Sequence, residues 1–317
     1  MIDFRSSVAA AYARIRDYVR KTPIEPSPVL SELTGATVFL KLENLQVTGA
    51  FKARGAFNKL LTLSEEERRR GYVTASSGNH GTAVAYAAKQ LHMNGITFVP
   101  EGAAPLKIAN MRRLGCDVRT FGSEGGASEV HARAYAKDHG MTYVSPYNDP
   151  IVVAGQGTIG IELGEQVPEL QGVVVAVGGG GLISGIAGYL KGLTPELRVI
   201  GVSPQNSMAM IASVQAGHIV ETEHLPTLSD GTAGGLEPGA ITFDLCRDLV
   251  DRFETVSEDE IGSALRLFID SHHMLCEGAA AAAIAGLLKA REAIRGSSVA
   301  VIICGANISS DHLRSAL

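Results

Sequence analysis

The chain has 317 residues, of which 45% are hydrophobic and 19% are charged, and its formal net charge at pH 7 is −5. This composition is typical of a globular protein of about two domains, and it lacks the basic surface that nucleic-acid binding requires. No apolar run reaches the ~18 residues of a membrane span, and the N-terminus lacks the pattern of a signal peptide. The four cysteines are scattered, which indicates reduced thiols, a cytoplasmic location and no zinc site.

The N-terminal part of the chain predicts helices around one short strand. The apolar spacing predicts an amphipathic helix over residues 5–20, and a short helix at 29–33 is followed by a strand at 37–41. A further helix opens at Lys52. Ser64, ahead of three glutamates, is a predicted N-cap.

From residue 72 onward, strand and helix patterns alternate. The predicted strands are 72–75, 95–99, 117–121, 142–144, 172–177, 197–202, 252–256 and 298–303, and the predicted helices are 79–91, 105–114, 128–139, 151–166, one from 182 and two within 258–290. This alternation predicts an α/β fold with mostly parallel sheets and helices on both faces. We expect residues 65–147 to form a small inserted domain and residues 1–64 with 148–317 to form a large one.

Lys52 follows a glycine-containing turn at the predicted start of a helix, among small and apolar side chains. The positive end of the helix and the loss of water both disfavour the ammonium form of this lysine. The neutral amine that results can form a Schiff base with an aldehyde. The alternative is a solvated lysine in the first turn of a surface helix, and this stretch alone does not decide between the two.

A run of four glycines, Gly178 to Gly181, follows an apolar strand and precedes a helix that begins with Leu182. Glycines let backbone N–H groups approach an anion, and the helix N-terminus favours negative charge, so the run predicts a phosphate site. It lacks the Gly-Lys-Ser/Thr ending of a nucleoside triphosphate loop, and no acidic residue stands where a dinucleotide ribose would be held. The alternative is a tight strand-to-helix turn.

The stretch Ser76-Ser77-Gly78-Asn79-His80 also joins a strand to a helix. Its N–H groups and hydroxyls suit a second anion, such as a carboxylate, and Asn79 can donate to a phenolate-like oxygen. The alternative is ordinary capping by Ser76 or Ser77. Cys304 ends the last predicted strand, and alone it indicates only a buried cysteine.

Together these stretches call for one ligand with an aldehyde, a single phosphate and a ring, beside a carboxylate. Lys52 in Gly49-Ala-Phe-Lys-Ala-Arg-Gly-Ala56, the Ser76–His80 and Gly178–Gly181 stretches, and Ala154-Gly-Gln-Gly-Thr158 resemble the threonine/serine dehydratase and serine racemase family. These are fold-type-II pyridoxal phosphate enzymes. The resemblance covers nearly the whole chain and implies two open, mostly parallel twisted sheets like those of tryptophan synthase β.

The resemblance also implies roles for individual residues. Lys52 holds pyridoxal 5′-phosphate as a Schiff base and then acts as the base at Cα. Asn79 bonds the ring oxygen of the cofactor, and Cys304 lies beside the pyridine nitrogen. The phosphate is implied to bind at Gly178, Gly179, Gly180, Gly181 and Leu182, and the substrate at Ser76, Ser77, Gly78, Asn79 and His80. A homodimer is a further implication of the resemblance.

The residue at position 304 bears on the reaction. A thiol is a weak, uncharged donor that does not hold a protonated pyridinium as an aspartate would, which favours prompt loss of a β-leaving group. The predicted reaction is β-elimination of water from a 3-hydroxy amino acid, threonine- or serine-like or bulkier, to give a 2-oxo acid and ammonia. The alternatives are an amino-acid racemase with Ser77 as its acid/base, a 3-hydroxyaspartate dehydratase, a β-replacement synthase and a non-enzymatic nucleotide-binding protein.

Three positions refine this interpretation. Ser203 stands where the family places a metal-binding glutamate, so we expect no metal there. Glu277 keeps a family glutamate in an altered loop, and its simplest interpretation is an acid at a helix N-terminus. We see no arginine within residues 123–129 that could hold a second substrate carboxylate, which argues against hydroxyaspartate.

Overall fold

The computed structural model describes residues 2–316 as alternating strands and helices. The strands are β1 (Ile24–Pro26), β2 (Thr37–Lys41), β3 (Tyr72–Ala75), β4 (Gly95–Val99), β5 (Asp117–Thr120), β6 (Thr142–Tyr143), β7 (Gly172–Ala176), β8 (Arg198–Pro204), β9 (Arg252–Val256) and β10 (Ser298–Ile302). The helices are α1 (Phe4–Ile15), α2 (Pro28–Thr34), α3 (Lys52–Leu61), α4 (Glu65–Arg70), α5 (Asn79–Gln90), α6 (Pro105–Arg113), α7 (Gly125–Asp138), α8 (Pro150–Gln166), α9 (Gly181–Leu193), α10 (Ala209–Ala216), α11 (Ile241–Leu249), α12 (Glu258–His272), α13 (Gly278–Lys289), α14 (Arg291–Ile294) and α15 (Ser310–Ala316).

Within residues 2–316, one sheet has six strands in the order β1-β2-β10-β7-β8-β9. Only β1 runs antiparallel to its neighbour, and the other pairs are parallel. Strands β7 and β10 are apolar and buried along almost their whole length, as expected for central parallel strands. Because parallel strands end at the same edge, the loops after β2, β7 and β10 all emerge on one side of this sheet.

The second sheet of the described chain has four parallel strands in the order β5-β4-β3-β6. All four strands lie between residues 65 and 147, and the strands of the first sheet lie outside that range. We propose on this basis that 65–147 is a small domain and that 1–64 with 148–317 is a large one. The predicted α/β class with two mostly parallel sheets is confirmed.

Small residues allow helices to pack closely around the large sheet. The run Ala279–Ala283 in α13 is buried and packs on β7, β8 and β9. Helices α8 and α9 meet at glycines, where a Cβ on Gly157 would lie 2.8 Å from the Gly185 carbonyl oxygen. This contact leaves no room for a side chain and fixes the α8–α9 pair, and α3 in turn packs on α8.

Some element boundaries differ from the sequence-based expectations. Helix α1 ends at Ile15 instead of residue 20, because the Arg20 backbone N–H and C=O bond to the Gln46 side chain and not within a helix. Strand β1 was not predicted, since it is only Ile24-Glu25-Pro26 at an edge. Helices α10, α11, α14 and α15 were also missed. The predicted cap at Ser64 is confirmed as a full capping box with Glu67.

Candidate active site

Lys52 is held against the end of the last strand of the large sheet. After β2 the chain passes through two short 3₁₀ turns, Glu43–Leu45 and Val47–Gly49. Ala50 then forms an isolated antiparallel bridge with Gly305, and the Phe51 N–H donates to the Cys304 carbonyl at 3.0 Å. Helix α3 begins at the next residue, so the Lys52 turn and the Cys304 turn are tied by their backbones.

The Lys52 side chain is partly buried, and its Nζ donates to the Pro146 carbonyl at 2.8 Å. Nζ also lies 5.2 Å from the centroid of the Phe51 ring. Burial lowers the pKa of Lys52 to about 8, although the acidic groups of Cys304 and Glu277 act in the opposite direction. The partly desolvated amine expected from the sequence is therefore present, and near physiological pH its neutral fraction is larger than that of an exposed lysine, although the ammonium form still predominates.

The glycine run between β7 and α9 has no room for side chains. A Cβ on Gly178 would lie 2.7 Å from the Thr232 carbonyl oxygen, and one on Gly179 would overlap the Tyr147 ring. Gly180 has φ +81°, in the left-handed region, and is the N-cap of α9 without any side-chain cap. The N–H groups that open α9 are thus not satisfied by a capping side chain and can bind an anion.

The turn from β3 to α5 has a similar open helix start. Gly78 is the N-cap of α5, and no side chain caps the helix. The Ser76 hydroxyl accepts from the N–H of Gly78 at 3.1 Å, and it does not accept from an N–H of the first helical turn. The predicted alternative of helix capping by Ser76 or Ser77 is therefore wrong. The first N–H groups of α5 remain open to a carboxylate.

His80 turns its ring away from that helix start. Its Nε2 bonds the Val144 carbonyl at 3.0 Å, and its Nδ1 is buried without a partner among residues 2–316. Burial, followed by the nearby Lys52 ammonium, lowers the pKa of His80 to about 3. A neutral ring whose N–H is already donated cannot bind a carboxylate, so only the backbone N–H of His80 is available to such a group.

Glu277 is the site residue that sequence reasoning missed. It precedes α13, but its side chain does not cap that helix. Both carboxylate oxygens accept from Asn79 Nδ2, at 3.0 and 2.9 Å, and one accepts from the Asn307 N–H at 3.2 Å. Glu277 is thus at the helix N-terminus as interpreted, but its carboxylate binds Asn79 and the Asn307 N–H instead of the N–H groups of α13. The sequence did contain a signal, which is a single acidic residue directly before an apolar helix. Such an acid is buried with the helix, and a buried charge requires hydrogen-bond partners.

Cys304 lies beside Glu277, with Sγ 3.7 Å from Glu277 Oε1. The side chain is buried, and burial raises the pKa of the thiol well above its ordinary value. The nearby carboxylate of Glu277 acts in the same direction. Cys304 is therefore a neutral thiol, as the sequence-based argument about this position requires.

A cluster of charged side chains lies between α7 and the loop before α11. Arg133 pairs with Glu129 at 3.2 Å and with Glu237, and its guanidinium lies 4.2 Å from the centroid of the Tyr143 ring. Arg133 lies just beyond the 123–129 segment, where no arginine was found in the sequence. Because both of its ionic partners are carboxylates, it is not free to hold a second substrate carboxylate.

Ser203 stands where the family places a metal-binding glutamate. Its hydroxyl donates to the Val177 carbonyl at 2.8 Å. Across residues 2–316, no group of three or more His, Cys, Asp or Glu side chains could hold a metal ion. In the same part of the chain, no helix has the length and apolar character needed to cross a membrane.

These residues fit a phosphate-bearing aldehyde. Lys52 supplies an amine of lowered pKa, and the Gly178–Gly181 loop supplies a cradle that any Cβ would fill. Asn79 and Cys304 are tied to the same Glu277 carboxylate, so they lie close together between the lysine turn and the open start of α5.

Comparisons with known proteins agree with this geometry. The family described as "Pyridoxal-phosphate dependent enzyme" matches residues 15–305. The chain is 42% identical over 301 residues to the L-threonine ammonia-lyase of Thermotoga maritima, covering 95% of this chain and 75% of that protein. Maize serine racemase superposes with a TM-score of 0.92 at 31% identity, covering 98% of this chain and 95% of the other.

A third relative is the processed threonine deaminase isoform 2 of Solanum lycopersicum. It also has a TM-score of 0.92, at 33% identity, and the match covers 99% of this chain and 92% of that one. Sequence and structure thus point to the same group of enzymes. The chain belongs to the pyridoxal phosphate-dependent enzymes and, within fold type II, to the threonine/serine dehydratase and serine racemase family.

Proposed function

We propose that this chain is an ammonia-lyase that eliminates water from a 3-hydroxy amino acid such as threonine or serine. The observation that carries the proposal is the Lys52 amine, which burial leaves with a pKa of about 8 beside the neutral thiol of Cys304. The 42% identity to an L-threonine ammonia-lyase supports the same reaction.

In this proposal each residue has one task. The open N–H groups at the start of α5 hold the substrate carboxylate, and the Gly178–Gly181 loop holds the phosphate. Bound pyridoxal phosphate supplies an electron sink for the pair left at Cα. The neutral Nζ of Lys52 would take the Cα proton, and the β-hydroxyl would leave with a proton as water. The enamine released by this elimination would then react with one water to give the 2-oxo acid and ammonia.

The neutral state of Cys304 favours elimination over racemisation. A carboxylate next to the ring nitrogen would keep that nitrogen protonated and prolong the life of a carbanion, whereas a neutral thiol does not. Rapid loss of the β-leaving group is then the expected outcome.

The test is release of 2-oxo acid from L- and D-serine, L- and D-threonine, both 3-hydroxyaspartates and 3-phenylserine. We expect release from one or a few of these, and the pattern names the side chain and its stereochemistry. If the holoenzyme releases oxo acid from none of them, the proposal is wrong for these substrates.

Racemisation is the second candidate, because Ser77 has no hydrogen-bond partner within the described residues and its hydroxyl is free to move a proton. Likeness to maize serine racemase also favours it. If Ser77 is the second acid/base, Ser77→Ala abolishes formation of the opposite enantiomer and spares oxo-acid release. Equal loss of both activities would show that Ser77 has no separate role in racemisation.

The resemblance also supports two coarser proposals. We expect a homodimer in the cytoplasm, and light scattering after size-exclusion chromatography tests the first of these. A mass of one 33.3 kDa chain under assay conditions would contradict the dimer.

A further inference from the structure

Both ends of the Asn79 side-chain amide are hydrogen-bonded, the nitrogen to Glu277 and the oxygen to Asn307. Its Nδ2 lies within 3.0 Å of both Glu277 oxygens, and its Oδ1 accepts from Asn307 Nδ2 at 2.8 Å. The other Asn307 amide N–H donates to the Thr48 carbonyl at 2.9 Å. These contacts leave the orientation of the Asn79 amide unambiguous.

Glu277 is a buried carboxylate that is surrounded by hydrogen-bond donors. The residue is 3% exposed, and burial raises its pKa, opposed by hydrogen bonds from Asn79, Asn307 and Cys304. A buried carboxylate is costly unless donors surround it, and an apolar residue would pack there at lower cost. Within residues 2–316, every hydrogen-bond partner of the Glu277 carboxylate is a donor, so its oxygens fix which groups must point an N–H or S–H toward it.

Counting donors and acceptors shows what Asn79 has left. An asparagine amide has two N–H groups and an oxygen that accepts two hydrogen bonds. One N–H shared between the two Glu277 oxygens leaves the second N–H unused. If Glu277 were replaced by a side chain that also donates, such as glutamine, the Asn79 amide would be able to rotate by 180°. Its oxygen would then occupy the place of its free N–H.

Thr48 adds a second sign that this region is held under constraint. It is a β-branched residue with φ +66°, in the left-handed region, four positions before Lys52. Such a conformation is strained for a β-branched residue and persists only where the surroundings enforce it. The bond from Asn307 to the Thr48 carbonyl is one of the contacts that enforce it, so Asn307 joins the lysine turn to Asn79.

We infer that Glu277, with Asn307, is a positioning residue that fixes the Asn79 amide so that its free N–H faces the ring oxygen of pyridoxal phosphate. This inference rests on the proposed role of Asn79 in binding that oxygen. Glu277 and Asn307 act through Asn79, and they are not themselves assigned to touch the cofactor.

The experiment is a double-mutant cycle on cofactor affinity. Apoenzymes carrying Asn79→Ala, Glu277→Gln, Asn307→Ala and each pair with Asn79→Ala are titrated with pyridoxal phosphate by fluorescence. Asn79→Ala should weaken binding ~10–100-fold, the range for a hydrogen bond to a charged group. Glu277→Gln should weaken it ~3–10-fold, and Asn307→Ala less, because its side chain is exposed.

The decisive comparison is made in the Asn79→Ala background, where both changes should have almost no further effect on affinity. The absorption maximum of the bound cofactor should shift in Glu277→Gln in the same direction as in Asn79→Ala. Asn44→Ala is the matched control, because its amide bonds the Leu275 carbonyl, two residues before Glu277 in the chain, without touching Asn79. It should leave both readouts unchanged.

Two results would overturn the inference, and they differ from failure of the proposed Asn79 role. If each change at Glu277 or Asn307 lowers cofactor affinity equally with and without the Asn79 side chain, the two residues only support the fold. If neither change lowers cofactor affinity, the two residues do not position Asn79. If Asn79→Ala itself leaves affinity unchanged, the proposed Asn79 role fails and the inference falls with it. If Glu277→Gln does not fold, Asn307→Ala completes the cycle.

Discussion

At the scale of the residue, the chemistry depends on how burial changes the charge of a few side chains. Lys52 and His80 lose water and are driven toward their neutral forms, while Cys304 keeps its proton for the same reason. Burial raises the pKa of Glu277 as well, so the same loss of water acts on all four side chains of the site.

The first prediction concerns the pH dependence of Lys52. With its pKa lowered to about 8, the folded chain releases this proton well below the usual lysine range near 10.5. The rate at which the apoenzyme forms a Schiff base with pyridoxal should rise with pH and level off above a midpoint near 8. Stopped-flow absorbance measures this, with Lys52→Ala as the blank. A rate that still rises steeply beyond pH 10 would contradict the assignment.

At the scale of the element, the β7–α9 unit holds its turn by excluding side chains. Gly179→Ala would place a methyl group in the Tyr147 ring. Overpacking of this kind costs ~1–3 kcal/mol, so we expect cofactor affinity to fall about 10-fold or more. The matched control is Gly192→Ala near the C-terminal end of α9, where a Cβ meets nothing within 4 Å. Equal affinities of the two variants for pyridoxal phosphate would contradict the phosphate role of the loop.

The position of α3 depends on a buried ionic network beneath Lys52. Arg54 bonds Glu43 at 2.7 Å and Glu162 at 2.6 Å, and Lys41 bonds Glu162 at 2.5 Å. All four side chains are at most 1% exposed. The network joins β2, α3 and α8, and its loss would leave carboxylates buried without partners.

Arg54→Met should therefore lower the free energy of unfolding by about 3–5 kcal/mol. The control is Lys21→Ala, which removes an ion pair with Glu165 on the same helix α8, with both side chains about half exposed. That change should cost less than ~1 kcal/mol. Urea unfolding of the two apoenzymes measures the difference, and similar values would contradict a structural role for the buried network.

The sequence predicted local features and missed long-range ones. Strands β7 and β10 were found because apolar runs ending in small residues have one simple interpretation. Arg54 and Glu277 were not recognised as buried, because each is a charged residue whose partners lie up to 198 positions away. Nothing in the local pattern shows which charges the fold will enclose, whereas the glycine and serine motifs are contiguous and readable.

At the scale of the whole molecule, two ion pairs join helices next to the small sheet to the loop between α10 and α11. Lys107 in α6 pairs with Asp230 at 3.2 Å, and Arg133 in α7 pairs with Glu237. The Glu237 N–H also donates to the Tyr147 hydroxyl at 2.8 Å, next to the glycine loop. These contacts connect the helices beside the small sheet to a segment that packs next to the glycine loop.

Arg133→Met should loosen the contact between α7 and the loop between α10 and α11. Substrate binding would then have to restore this contact, so we expect KM to rise several-fold while the affinity for pyridoxal phosphate stays unchanged. Lys107→Met is the control and should have a smaller effect, since both partners of its pair are more than a third exposed. Steady-state kinetics with the preferred substrate tests this, and an unchanged KM in Arg133→Met would contradict it.

The proposed reaction requires one covalent contact, the Schiff base between Lys52 and pyridoxal phosphate. The direct test is to reduce the holoenzyme with borohydride, digest it and locate the phosphopyridoxyl group by mass spectrometry. We predict a single modified lysine, Lys52, with Lys41 and Lys59 unmodified. Modification at another lysine, or at none in an enzyme that holds pyridoxal phosphate, would contradict the site described above.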